Sequence, residues 1–289
     1  MRVVSGSRRP FFIAFLVPAV LVAVIFSAAL GNVLQYSFRE FVPGSLDVGK
    51  FTLENFLRIA KPIYLWVLLD TFLISFLTAL FTLLLSYPIA YTLVRTRRDI
   101  VRTVLVALSI TPLFTGEIVR TYAWMLVLGT RGFINSLLLK AGLIDTPIAL
   151  MYTKAGVIIA LVQYSMPVMI ILLATAISHI NLDYEKAAAN LGASPARVFW
   201  KVTLPLSVPG IVSGIIVIFA WTMSAFSTPQ LIGGGKVLMI SNMVYLQGLS
   251  SFNFPFAAVL SLVALLSAVL SLALARPATI RIERKLAIH

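Results

Sequence analysis

The sequence predicts an all-α integral membrane protein with about six membrane-spanning helices. Three observations carry that expectation. Hydrophobic residues make up 60% of the 289 residues and charged residues only 11%, whereas soluble domains carry roughly 25% charged residues. Apolar stretches long enough for a bilayer recur, a spanning helix needing about 20 such residues. The basic residues gather in the short segments between those stretches, where the rule that cytoplasmic loops are rich in Lys and Arg can read them.

The spans follow in order, with cores expected at about 11–34, 66–94, 103–128, 155–178, 206–226 and 255–275. The first is too long for the 7–15-residue apolar core of a cleaved leader, so it reads as an uncleaved span despite its basic start. The second contains Tyr87-Pro88, where proline is expected to kink it. The third is interrupted by Glu117 and Arg120. Residues 131–153 mix Phe133, Leu137 and Leu138 with Asn135 and Lys140, which suggests a surface or re-entrant helix. Nothing marks a detachable domain, so residues 1–289 read as a single membrane domain.

Charge sets the expected orientation. With the N-terminus inside, the inner segments hold fourteen cations, from Arg2, Arg8 and Arg9 through Arg95, Arg97, Arg98 and Arg102 to Arg284 and Lys285. Against four acids this is +10. The outer segments and span interiors hold nine cations and six acids, or +3. Both termini are therefore expected in the cytoplasm of a multi-pass protein. The net charge of +13 is explained by topology and contact with anionic lipid, and nucleic acid is not an expected partner. There is no cysteine, hence no disulfide or thiolate site. With two histidines and no paired carboxylates or nucleophile–base set, neither metal nor catalytic residues are expected.

Between the fourth and fifth spans lies a water-compatible stretch, 182–205. Tyr184-Glu185-Lys186-Ala187-Ala188-Ala189-Asn190-Leu191 reads as a helix closed by Gly192. Ser194-Pro195 then supply N-cap and first-turn chemistry for a second helix. This segment resembles the EAA loop of binding-protein-dependent ABC-importer permeases, in which Glu-Ala-Ala, a glycine and a closing Ile-x-Leu-Pro dock onto an ATPase. Ala187, Ala188, Gly192, Leu204 and Pro205 fall on the pattern, with Val202 in place of the usual Ile. Lys186 occupies the usual Glu position and Glu185 lies one residue early, which turns its carboxylate by about 100° on a helix.

Other stretches extend the resemblance to the spermidine/putrescine branch with its opine-transport relatives, and to the first of its two permease subunits. They are Thr111-Pro112-Leu113-Phe114, Ile118-Val119-Arg120-Thr121-Tyr122-Ala123-Trp124, Gly132-Phe133-Ile134-Asn135, Gly142-Leu143-Ile144 and Phe226-Ser227-Thr228-Pro229-Gln230-Leu231-Ile232-Gly233-Gly234. The resemblance implies a type I importer permease fold in a bacterial inner membrane. It also implies a second permease subunit, two ATPase subunits at 182–205 that carry ATP and Mg, and an external solute-binding protein. No cofactor is expected on this chain.

The ATPase-coupling set implied by the loop is Glu185, Lys186, Ala187, Ala188, Gly192, Leu204 and Pro205. Ionisable and aromatic residues inside spans supply a separate set of pathway candidates. Glu117 and Arg120, three apart on one helix face, read as a mutually neutralising pair or as pathway groups. Asp70 reads as interfacial or as attracting a cationic solute. Trp221, Ser224 and Phe226 read as packing or as a gate with cation–π capacity. Gln163 and Tyr164 read as interhelical hydrogen bonding or solute contact. The expected function is the pathway-forming subunit of an ABC importer for a small nitrogenous solute: polyamine, opine or amino-acid-like. The alternatives are an ion-coupled secondary transporter or channel, and a membrane scaffold.

Overall fold

The computed structural model describes residues 8–44 and 49–287. Among them are thirteen α-helices and no strand, save an isolated antiparallel bridge between Arg39 and Phe51. Six helical stretches are long and apolar enough to cross a membrane: Leu16–Ser37, Pro62–Arg95, Glu117–Lys140, Lys154–Ser178, Pro195–Met223 and Phe254–Ser271. Backbone contacts gather the chain into two compact units, 1–61 with 244–263, and 62–243 with 264–289.

The smaller unit begins with α1 (Arg8–Ser37). None of its apolar window is buried, and Leu16, Val22 and Phe26 are each more than 60% exposed. A helix that is apolar all round and uncovered by protein finds its solvent in lipid. Beyond it, the short α2 (Glu54–Arg58) is pinned by buried Asn55, whose Nδ2 donates to the Arg39 carbonyl at 2.7 Å. Phe38 stacks on Phe51 and packs against Phe56.

The larger unit starts with α3 (Pro62–Arg95), which runs through Pro88 for another two turns. Next come α4 (Asp99–Ile110), a 3₁₀ turn at Thr111–Phe114, and α5 (Glu117–Leu128). The stretch expected as one span at 103–128 is thus broken in its middle. Pro112 has no N–H to continue the ladder and its ring disfavours helix before it, and Gly116 is extended at ψ 144° before α5 begins. The short helix expected within 131–153 is α6 (Phe133–Lys140). Asn135, fully buried, holds the turn on both sides of it: Nδ2 donates to the carbonyls of Gly129 and Ile148, and Oδ1 accepts from the Ile148 N–H.

The core of this unit is α3 against α7 (Lys154–Ser178) and against the helix that arrives after the polar stretch. That stretch holds α8 (Leu182–Asn190), α9 (Pro195–Val198) and a π-helical turn, Phe199–Thr203, which continues without a break into α10 (Leu204–Met223). The fifth span is therefore longer at its start than the 206–226 expected, and ends at Met223. Ala79, Ala90, Met169, Leu173, Ile177 and Ile218 fill the space between these helices. Lipid offers no hydrophobic drive for helix association, so close approach through small residues has to supply it. Gly210 shows this directly: a Cβ there would collide with the Ala176 Cβ. A second cluster around Ile74, Leu128, Val157, Leu161 and Met239 includes Ile232 of α11 (Ser227–Ile232). The remaining elements are α12 (Ile240–Tyr245), a π-helical turn at Leu246–Ser250, and α13 (Phe254–Ala287).

Candidate coupling segment and solute pathway

The polar segment is built from local signals. Asn181 caps α8 by accepting from the Asp183 N–H at 2.9 Å. At the other end Gly192 adopts φ +83°. Its N–H reaches the Ala189 carbonyl at 2.9 Å, and the Ala193 N–H reaches the Ala188 carbonyl at 3.1 Å. These are the two bonds of a Schellman closure, which requires a left-handed residue and favours glycine. Ser194 then caps α9 through the Arg197 N–H, with Pro195 in the first turn.

No residue of α8 is fully buried. Leu191 at the turn is 89% exposed, Trp200 65% and Tyr184 61%. Ala187 and Gly192 are exposed, Ala188 half-buried, and Leu204 and Pro205 half-buried where the segment joins α10. Lys186 stays on the exposed surface of the segment, its Nζ 3.0 Å from Asp183 Oδ1. Glu185 does the opposite: its Oε1 accepts from Arg95 Nη2 at 2.8 Å and from Thr203 Oγ1 at 2.9 Å. Glu185 was expected among residues that meet an ATPase, but its carboxylate is turned onto the chain itself. The one-residue offset places it about 100° round the helix from Lys186, and the packed end of α3 supplies its partner.

The pathway candidates divide. The Arg120 guanidinium lies over the Tyr164 ring, 4.7 Å from its centre. Tyr164 meets Trp221 edge-to-face at 5.4 Å. Trp124 Nε1 donates to Gln163 Oε1 at 3.1 Å. Arg120, Tyr164 and Trp221 thus form one cluster on α5, α7 and α10, with Gln163 beside it. Of the two readings of Glu117 and Arg120, the mutually neutralising ion pair is not formed. Arg120 Nη2 instead donates to the Thr115 carbonyl at 2.7 Å, while Nε and Nη1 are buried without a partner. The break before α5 explains this: it opens a free carbonyl at Thr115 within reach of the fourth residue of the helix.

Asp70 is not brought to this cluster. It is bound to Lys154 Nζ at 2.6 Å, joining the start of α7 to α3. Ser224 Oγ turns back to the Trp221 carbonyl at 2.8 Å. The Phe226 carbonyl accepts from the Gln230 N–H and from Asn242 Nδ2, which fixes the bend between α10 and α11. Among the described residues no group of three His, Asp or Glu side chains gathers as a metal site.

Sequence reasoning did not pick out Arg95, Thr203 or Trp124 for these contacts. Arg95 stands 90 positions from Glu185, and no local pattern marks it beyond its place at the end of a span.

Residues 83–276 match the family model described as binding-protein-dependent transport system inner membrane component. The chain is 37% identical over 212 residues to the spermidine/putrescine transport system permease protein PotB of Salmonella typhimurium, covering 73% of this chain and 74% of that protein. It is 29% identical to the protein of the same name from Haemophilus influenzae, over 91% of each chain. Among solved structures, a chain of a bacterial alginate ABC transporter, crystallised with an alginate pentasaccharide-bound periplasmic protein, superposes with a TM-score of 0.80. That match covers 95% of this chain and 96% of the other at 18% identity, and shows a shared fold. The expected branch is supported, the apolar helices belong to a multi-pass inner membrane protein, and a permease subunit of this kind is not an enzyme by itself. The chain belongs to the binding-protein-dependent transport system inner membrane components, as a permease subunit of an ABC importer.

Proposed function

We propose that this chain forms part of the membrane pathway for a small nitrogenous solute, a polyamine first among opines and amino-acid-like compounds, and couples its import to ATP hydrolysis by partner subunits. The observation that carries the coupling is the exposed turn at 191–192. Leu191 projects from a left-handed corner between two helices, and the second of those helices runs straight into α10. A protein that binds this corner therefore holds a lever joined to a span. The names of the relatives support the solute class.

In this reading two ATPase subunits carry ATP and Mg, one seated at 182–205. A second permease subunit completes the pathway and an external solute-binding protein delivers the solute. Both termini lie in the cytoplasm, as the distribution of basic residues favours. ATP binding draws the ATPases together and shifts a two-state equilibrium of the spans through contacts that differ between the states. The cluster of Arg120, Tyr164 and Trp221 lies along the route, and Asp70 is neutralised by Lys154.

The test is reconstitution of the permease pair, the ATPases and the binding protein into proteoliposomes. ATP-dependent accumulation of radiolabelled spermidine or putrescine is expected, with competition by an opine measuring the breadth of the class. Accumulation driven by a proton or sodium gradient without ATP would overturn the reading. Because the chain has no cysteine, a cysteine at Leu191 or Leu143 is a unique probe of sidedness. An impermeant thiol reagent on intact cells should label the second and not the first.

A further inference from the structure

One carboxylate oxygen holds three parts of the larger unit together. Oε1 of Glu185, in α8, accepts from Arg95 Nη2 at 2.8 Å and Nε at 3.2 Å, at the last residue of α3. It also accepts from Oγ1 of Thr203 at 2.9 Å, the last residue of the π-helical turn before α10. Arg95 Nη2 reaches on to the Ile180 carbonyl at 3.5 Å, just ahead of α8. The Arg95 and Glu185 side chains are 11% and 13% exposed, whereas those of the other three ion pairs among the described residues range from 28% to 73%.

Neighbouring contacts make the same connection. Phe199, the first residue of the π-helical turn, meets Tyr87 and Tyr91 of α3 edge-on at 5.7 and 5.6 Å. The Tyr87 hydroxyl lies 2.7 Å from Ser207 Oγ in α10. A π-helical turn inside an α-helix is a local irregularity that often accompanies function, and here it ends on the residue that bonds to Glu185.

We propose that Arg95, Glu185 and Thr203 form a clamp that makes the two halves of the 182–205 segment and the end of α3 move as one body, with Glu185 a positioning residue for coupling and not a contact for the ATPase. The proposal rests on the function argued above, and it assigns the departure at position 186 a purpose. Lys186 keeps the exposed face of α8, and the carboxylate one residue earlier serves the inside. Removing one partner of a largely buried ion pair leaves the other charge uncompensated. The clamp should then loosen while the exposed turn at Leu191 and Gly192, on which docking depends, keeps its shape.

The experiment uses the full complex in proteoliposomes, with Glu185→Ala, Arg95→Met and the exchange Arg95→Glu with Glu185→Arg. Each single variant should retain the ATPase on purification. Solute uptake should fall roughly 5- to 150-fold, the range of a typical coupling free energy, with more ATP hydrolysed per solute imported. The exchange should recover much of the uptake, which a generally destabilised protein would not do. Thr203→Val and Glu185→Gln, which nearly keep shape, should show the same fault in milder form and serve if the exchange does not insert.

Loss of the ATPase from Glu185→Ala would make Glu185 a docking contact and overturn the clamp. So would unchanged uptake in the single variants, or an inserted exchange no better than they are. The wild-type complex separates the two proposals. If it shows no ATP-driven uptake, the proposed function falls and the clamp with it; if it does, failure of the variants to behave as stated removes the clamp alone.

Discussion

Replacement of Gly192 tests whether the corner of the coupling segment acts through its backbone or through its surface. The residue sits at φ +83°, and among the described residues no atom beyond its two chain neighbours lies within 4 Å of where a Cβ would be. A side chain there meets no internal clash, so the cost comes from conformation alone. An L-residue in the left-handed region costs about 1–2 kcal/mol, with β-branched residues at the upper end. The alternative is to give up the closure and its two hydrogen bonds, at 2.9 and 3.1 Å, each worth about 1 kcal/mol net. The smaller cost applies, so Gly192→Val should disfavour the native corner by about 1–2 kcal/mol, a factor of roughly 5–30 in the ratio of native to altered corner.

Insertion of the spans should be unaffected, since no residue of α8 is fully buried. Solute uptake should fall by up to that factor in proteoliposomes, with ATPase co-purification reduced or ATP hydrolysis freed from uptake. The order of variants distinguishes cause. Asn tolerates the left-handed region better than Ala does, so a backbone effect ranks Gly192→Asn above Gly192→Ala, with Val last. If bulk on the docking surface governs, Asn falls below Ala. Wild-type uptake by Gly192→Val would refute the reasoning altogether.

Three further outcomes are expected. Asn135→Ala removes three hydrogen bonds from a fully buried side chain, and should lower stability by about 2–4 kcal/mol; an unchanged thermal midpoint in detergent would contradict this. Trp221→Ala removes the edge contact on Tyr164 from a side chain already 38% exposed. It should alter solute uptake while leaving ATPase assembly intact, and unchanged uptake at normal expression would return Trp221 to packing. Asp70→Asn and Lys154→Met break a half-exposed ion pair worth no more than about 1 kcal/mol. Each should shift the melting midpoint slightly and leave the KM for a cationic solute within about twofold of wild type, whereas a tenfold rise confined to the Asp70 variant would make that carboxylate a solute ligand.

What could be read from the sequence was what local physics decides. Long apolar runs had to become helices in lipid, because a backbone there must satisfy its own hydrogen bonds. The corner at Gly192 and the cap at Ser194 were legible because each depends on residues within three or four positions. Pro112 carried the signal for the break before α5. The apolar run continues past it, and hydropathy averages over a single missing N–H, so the run reads as one span.

The side-chain geometry was of another kind. Arg120 chose the Thr115 carbonyl and the Tyr164 ring over Glu117, three residues away, and only the break and the distant α7 make those partners available. Glu185 depended on Arg95 and Thr203 in the same way. The sequence does show that its carboxylate is displaced by one position, but not where a turn of about 100° would aim it. That direction is fixed by the packing of α3 against α7 and α10, which brings the end of one span beneath the start of another. A motif read by position alone treats Glu185 as a weakened copy of the usual glutamate. With the helices in place, it is an inward-facing group whose chemistry differs from that of the exposed lysine beside it.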